Sequence, residues 1–290
     1  MIESTEIKAL LKLIDDPDEE VYQSVSHKLA SFGKDIIPNL EQIWEVDSNE
    51  STQTRIESLI HRLHFQDLAV ELERWKKEES HSLLSGAIIA AKYHYPDIQT
   101  HTILQQIEKL RRNIWLELNM HLTSMERIHV FNSIFYSYSR HTGVPIDYSM
   151  PEHFLINKTL ESKTGNSVSN GILYLILCQL LDIPVFAVRI PNHFILAYID
   201  HLNFDINPTA HTLSSIGFFI DPLSGQLYSP LDVQHYIQKH EIAMDEQFLT
   251  PLTNPGLIGH LLMELSKCFE NDKNLYKMEE LQELSKKMES

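Results

Sequence analysis

The stretch from Gly165 to Ile199, GNSVSNGILYLILCQLLDIPVFAVRIPNHFILAYI, constrains this chain more than any other. Gly165-Asn166-Ser167 supplies turn chemistry and an N-cap. Ile172 to Leu181 follows with no glycine or proline inside it and apolar residues around the whole circumference, the pattern of a helix buried on every side. Asp182-Ile183-Pro184 ends that helix, because a proline ring pushes the residue before it out of the α region. Val185–Ile190 then predicts a short strand, Pro191-Asn192 a turn, and His193–Ile199 a β-rich run with a histidine at its head. Farther on, Ile216-Gly217-Phe218-Phe219-Ile220-Asp221-Pro222 is suited to pair with the His193 strand as an antiparallel hairpin across a long connection, His201 to Ser215.

Around this centre the chain is helical. Ile7, Leu10, Leu11 and Ile14 recur at helical spacing, and Asp16, Pro17 and Glu19 offer an N-cap, a first-turn proline and a capping box for a second helix. Val21, Val25, Leu29 and Phe32 stripe that helix, Gly33 stops it, and Ile36-Ile37-Pro38 begins a third. The succession resembles a HEAT-type helical repeat, with a weaker second unit over Thr52 to Trp75. Such repeats bury their faces by stacking, so a docked helical cap over residues 1–80 is expected. Helices are also predicted over Leu83–Lys92, Ile98–Asn119, Thr123–Ser139, Phe154–Glu161 and Pro230–Lys239. Residues 241–290 read as an αα-hairpin, Leu257–Phe269 and Leu275–Met288, similar to a single tetratricopeptide-like unit.

Five blocks carry a family resemblance: Glu126-Arg127-Ile128-His129-Val130-Phe131-Asn132, Leu160-Glu161-Ser162-Lys163-Thr164-Gly165-Asn166, Gly171-Ile172-Leu173-Tyr174, Pro191-Asn192-His193-Phe194 and Phe219-Ile220-Asp221-Pro222. In this order, across about residues 80 to 240, the chain resembles the SirB1-like branch of the transglutaminase-like superfamily, bacterial proteins with a degenerate transglutaminase core. The resemblance implies an α+β fold: a papain-like core over residues 81–240, with helices packed on a small antiparallel sheet. In the superfamily a catalytic cysteine opens the buried helix, a histidine heads a following strand, and an aspartate in an Asp-Pro pair sits on the next. Counting back from Pro184, the cysteine position falls on Ser167; the branch usually has proline there and a serine two residues on, here Ser169.

The implied site is therefore Ser167, His193 and Asp221, with Ser169 as the alternative hydroxyl and Asp205, in Phe204-Asp205-Ile206-Asn207-Pro208, as the alternative acid. In such a triad the carboxylate sets the imidazole tautomer so that the other ring nitrogen takes a proton. A serine hydroxyl does not ionise at neutral pH as a thiol partly does, so a cysteine site does not become a serine site by one exchange. The expectation is a non-catalytic, regulatory or peptide-binding protein whose cleft keeps His193 and Asp221. The alternative is a serine-dependent amidase, acyltransferase or peptidase using the same positions.

Charge and composition narrow the partners. With 40 acidic against 24 basic residues the formal charge is −16, a field that repels phosphate backbones and argues against nucleic acid. Cys178 and Cys268 are far apart, with neither a disulfide framework nor a thiolate metal site in their spacing; Cys178, among leucines, reads as an inert buried thiol. His193, His201 and His211 are the nearest histidine cluster, without the tight spacing of a metal site, and no phosphate-binding glycine motif occurs, so no metal or other cofactor is expected. Arg111-Arg112 reads as two exposed arginines rather than an anion site. With no basic n-region before an apolar run, and no apolar run of spanning length, a cytoplasmic protein with a protein or peptide partner and no membrane contact is expected.

Overall fold

The computed structural model describes residues 5–190, 193–199, 216–241, 249–271 and 274–289. They fall into two units: 5–74 with 92–96, and 75–91 with 97–289.

In the first unit, helices α1 (Thr5–Leu11), α2 (Glu19–Ala30), α3 (Ile37–Val46) and α4 (Glu50–Arg74) bury Ile7, Leu29, Ile36, Leu40, Ile56 and Leu59 in one core. The α2 N-cap is Asp18, which accepts from the Glu20 N–H, while Asp16 accepts from the Asp18 N–H at 2.9 Å. The capping site is thus two residues later than Asp16, and Pro17 stands outside the helix: two successive aspartates each cap one step of the same turn. Gly33, at φ +67°, takes the left-handed backbone that a side chain would resist. The α4 residue Arg55 donates to the Asp16 carbonyl at 2.7 Å and lies 4.3 Å over the Tyr22 ring, tying α4 to the α1–α2 connection. Where the spacing predicted a weak second repeat, residues 50–74 are one continuous helix with nothing inside it that breaks an α-helix.

The second unit is built on α9 (Ser167–Leu180). In chain order before it come a π-helical turn (Trp75–Glu79), α5 (Leu83–Lys92, its last residue in the first unit), α6 (Thr100–Glu117), α7 (Ser124–Asn132), a second π-helical turn (Ser133–Tyr138), β1 (Thr142–Gly143), α8 (Ile156–Ser162) and β2 (Thr164–Gly165). After it follow β3 (Val185–Ile190), β4 (His193–Ile199), β5 (Ile216–Ile220), β6 (Leu227–Tyr228), α10 (Pro230–Lys239), α11 (Asn254–Ser266) and α12 (Leu275–Glu289). Every α9 residue from Val168 to Cys178 is buried. At about 1.5–3 kcal/mol for each large apolar side chain removed from water, this helix supplies a large part of the unit's stabilisation.

The sheet has the order β3-β4-β5-β6, antiparallel throughout, with Ile190 opposite His193 and Leu196 opposite Ile220. This small antiparallel sheet among helices is the expected α+β architecture. Its two faces serve different neighbours. Val188, Ile190, Ala197, Ile199 and Phe219 pack with Val233 and Ile237 of α10, and the alternate residues turn toward α9. The outer edge of β3 is covered by residues 249–252, where the Leu252 N–H donates to the Ala187 carbonyl at 2.9 Å and Leu249 to Arg189 at 3.3 Å.

The blocks that carried the resemblance meet in space. Asn132 at the end of α7 accepts from the Tyr174 hydroxyl of α9 at 2.9 Å and donates to the Gly225 carbonyl at 2.7 Å. Tyr136 donates to the Pro222 carbonyl at 3.0 Å. The turn after β5 is therefore held against α7 and α9 by side chains far away in sequence.

Candidate functional site

The N-cap of α9 is Asn166, fully buried, whose Oδ1 accepts from the Val168 and Ser169 N–H groups at 3.0 and 3.1 Å. Ser167 is the first helical residue and partly exposed. Ser169 is buried, and its hydroxyl donates to the His153 carbonyl at 2.6 Å. The two serines thus differ in kind. Ser167 lines a cleft of ≈ 590 Å³, whereas Ser169 is bonded into the wall behind it.

His193 and Asp221 line the same cleft, His193 at the head of β4 and Asp221 just past the end of β5, on adjacent antiparallel strands. The contacts within this group are less simple. The Asp221 carboxylate accepts from the Leu223 N–H at 2.9 Å and the Ser224 hydroxyl at 2.7 Å, stabilising its own turn, and no hydrogen bond joins it to His193 among the described residues. The His193 ring stands edge-on to Tyr236 of α10, centroids 5.0 Å apart at 80°. Strand alternation explains this. His193 shares a face with Ala197 and Ile199, the face on α10, so its neighbour Phe194 is the residue aimed at α9. A Cβ placed on Gly171 would stand 2.4 Å from Phe194 Cε1, so the ring lies directly on the helix backbone there. Asp205, His201 and His211 lie outside the described residues.

The opposite wall of the cleft comes from the 146–148 loop and from α11, which belongs to the C-terminal hairpin rather than to the 81–240 core. His260 stacks on Phe194 at 5.4 Å with the planes 8° apart. Glu264, one turn along, accepts from the Tyr148 hydroxyl at 2.8 Å and from Lys267 at 2.7 Å. Burial works to raise the Glu264 carboxyl, but those two hydrogen bonds together with the Lys267 charge hold its pKa below the ordinary carboxylate value. Burial pushes the His260 imidazole below its ordinary value despite that carboxylate, so it is neutral at pH 7. Arg189 of β3 also lines the cleft and pairs with Glu289 of α12 at 3.2 Å. The usable sequence signal was spacing: His260, Glu264 and Lys267 recur at i, i+4, i+7 on one face of an otherwise apolar helix.

Cys178 is fully buried, which raises its thiol pKa well above the ordinary value, and burial pushes Cys268 up to about 12. Arg111 is bound to Glu108 through Nε and Nη2, at 2.7 and 2.6 Å.

A buried helix opened by a short side chain at the mouth of a cleft, facing an antiparallel sheet with a histidine at one strand head and an Asp-Pro turn after the next, is a transglutaminase-like arrangement. Residues 101–263, more than half of the chain, match the family described as the transglutaminase-like superfamily, and the chain belongs to it. It is a SirB1-like member: it is 25% identical over 114 residues to the protein SirB1 of Salmonella typhimurium, covering 39% of this chain and 42% of that one. Two proteins named UPF0162 are similar too. That of Xylella fastidiosa is 25% identical over 123 residues (41% of this chain, 42% of the relative) and that of Vibrio cholerae 23% over 189 residues (64% and 66%). The alignments thus span between about two fifths and two thirds of these relatives' own length. No solved structure matches the chain. No helix among the described residues is long and apolar enough to cross a membrane.

Proposed function

We propose that this chain is a non-catalytic member of the superfamily, a regulatory protein that holds a protein or peptide segment in the cleft lined by Ser167, His193 and Asp221. The observation that carries this reading is the employment of Asp221. Both of its oxygens are engaged within its own turn, and the His193 ring rests against Tyr236, so the carboxylate that would orient a catalytic imidazole is committed to structure. The exchange of thiol for hydroxyl at position 167 points the same way, since a serine needs that oriented base more than a cysteine does. The tetratricopeptide-like hairpin at the C-terminus is part of the proposal as a support for the cleft, one wall of which comes from α11.

The second reading, a serine-dependent amidase, acyltransferase or peptidase, draws on one observation: Ser167, His193 and Asp221 share the cleft, and Ser169 does not. An acylating activity probe followed by intact mass separates the two. The binding reading expects no adduct, and no amide or ester hydrolysis above that of His193→Ala. Stoichiometric modification of Ser167 or Ser169 that disappears in His193→Ala would overturn it in favour of the enzyme.

A further inference from the structure

A second cavity, of ≈ 420 Å³, shares no lining residue with the cleft and lies between α6, the segment after α7 and the end of α8. That volume suits a small ligand. From α6 it takes Gln106, Lys109 and Asn113, at i, i+3 and i+7 on one helix face, and from the end of α8 it takes Lys163. His141 lines it too. This residue is 4% exposed, its ring is stacked on Phe135 with centroids 4.6 Å apart, and neither ring nitrogen makes a hydrogen bond of good geometry among the described residues, although the Phe135 carbonyl acts on the ring. A neutral imidazole carries one N–H donor and one lone pair, and buried groups of that kind are normally satisfied.

The backbone around the cavity is unusual. The segment leading into it is the π-helical turn Ser133–Tyr138, a rare form that is frequent at functional sites. Arg140 follows at φ 60°, and Lys163 caps α8 at φ 58°, both left-handed positions that glycine or asparagine would occupy more easily. The Lys163 carbonyl accepts from the Thr142 N–H at 2.8 Å, which fixes the backbone from which its side chain extends.

Charge completes the picture. Glu161 is the carboxylate among the residues lining this cavity, and it is paired with Lys158 at 2.7 Å. Lys109 and Lys163 make no ion pair among the described residues. In a chain with a net charge of −16, two unengaged ammonium groups beside amide donors and an unsatisfied buried imidazole form a local site for negative charge. We propose that this cavity binds a small oxyanion, a phosphate monoester or a dicarboxylate, with Lys109 and Lys163 supplying the charge, Gln106 and Asn113 the amide donors, and His141 an N–H from the inner wall. Burial first, with the Lys163 charge adding to it, pushes His141 down to about 4 against the pull of the Phe135 carbonyl, so the ring offers a neutral donor at pH 7.

The test is calorimetric titration of the full chain with inorganic phosphate and, separately, with succinate, with sodium chloride at matched ionic strength as the control. Saturable binding of either anion is expected. A phosphate-only response assigns the phosphate ester as the source chemistry, and a succinate-only response the dicarboxylate. Lys109→Gln with Lys163→Gln should weaken binding at least tenfold, and His141→Phe, which keeps the stack on Phe135, should weaken it severalfold. No binding beyond the chloride control, or unchanged affinity in the double variant, overturns the proposal. Should His141→Phe not fold, the ring ¹⁵N resonances of His141 in the unaltered protein decide the point: a shift on saturation supports the site, and no shift overturns it.

Discussion

Replacing Gly171 with alanine sets two effects against each other, and the sign of the result reports which side chain lies on α9. In a helix interior, alanine is better than glycine by about 1 kcal/mol. The new methyl would, however, stand 2.4 Å from Phe194 Cε1 and 3.1 Å from Cδ1, with Pro222 Cβ at 3.4 Å. The ring has no easy retreat, because its other face is stacked on His260, itself largely buried. Forcing a methyl into a packed site costs about 1–3 kcal/mol. A contact as short as 2.4 Å belongs toward the upper end of that range, so the clash outweighs the propensity gain and Gly171→Ala should destabilise the protein by up to about 2 kcal/mol. In a Phe194→Leu background the obstacle is smaller, and the same substitution should become neutral or stabilising by up to about 1 kcal/mol. Denaturant unfolding of the four proteins of this cycle measures it, with unchanged m values as the control. If Gly171→Ala stabilises the otherwise unaltered protein by about 1 kcal/mol, Phe194 does not lie on the helix, and the assignment of His193 to the opposite face of the sheet fails with it.

Three further outcomes are expected. Ser167→Cys should be alkylated faster than Cys178 or Cys268, because both native thiols are held protonated by burial, Cys268 at about 12; equal labelling of all three would refute a preserved cysteine-enzyme scaffold. Ser169→Ala loses the bond to the His153 carbonyl and should cost about 1 kcal/mol in unfolding experiments while leaving any cleft ligand bound; loss of the ligand with stability intact would place Ser169 in the cleft instead. Stability should fall with acid through His141. Its folded value of about 4 lies below the ordinary 6.5, so the unfolded chain takes up its proton first, and a contribution present in full above pH 6.5 is lost as the pH drops toward 4. The limit is about 3 kcal/mol. His260, lowered in the same direction, adds to the slope, so the measurement is the difference between the unaltered protein and His141→Phe, whose profile should be flatter by that amount; identical profiles would mean that His141 is not buried neutral.

Much of the architecture is written locally. The circumferential apolar run after Ser167 dictates a buried helix, Pro184 its end, and the β-rich runs around His193 and Phe219 an antiparallel sheet, because each of these signals acts between residues a few positions apart. Position 167 at the helix start was legible in the same way, from an asparagine before it whose side chain caps the first turn. Tertiary structure decided which of these groups meet. Whether Ser167 or Ser169 opens on the cleft depends on the His153 carbonyl, sixteen residues away, and whether His193 or Phe194 faces α9 depends on strand parity, where a shift of one residue exchanges the faces. The wall contributed by His260, Glu264 and Lys267 is marked locally only by its i, i+4, i+7 spacing. Its helix is an amphipathic segment like many others until the fold lays it across the cleft from a serine nearly a hundred positions earlier, and only there do its titratable side chains acquire burial, partners and shifted protonation.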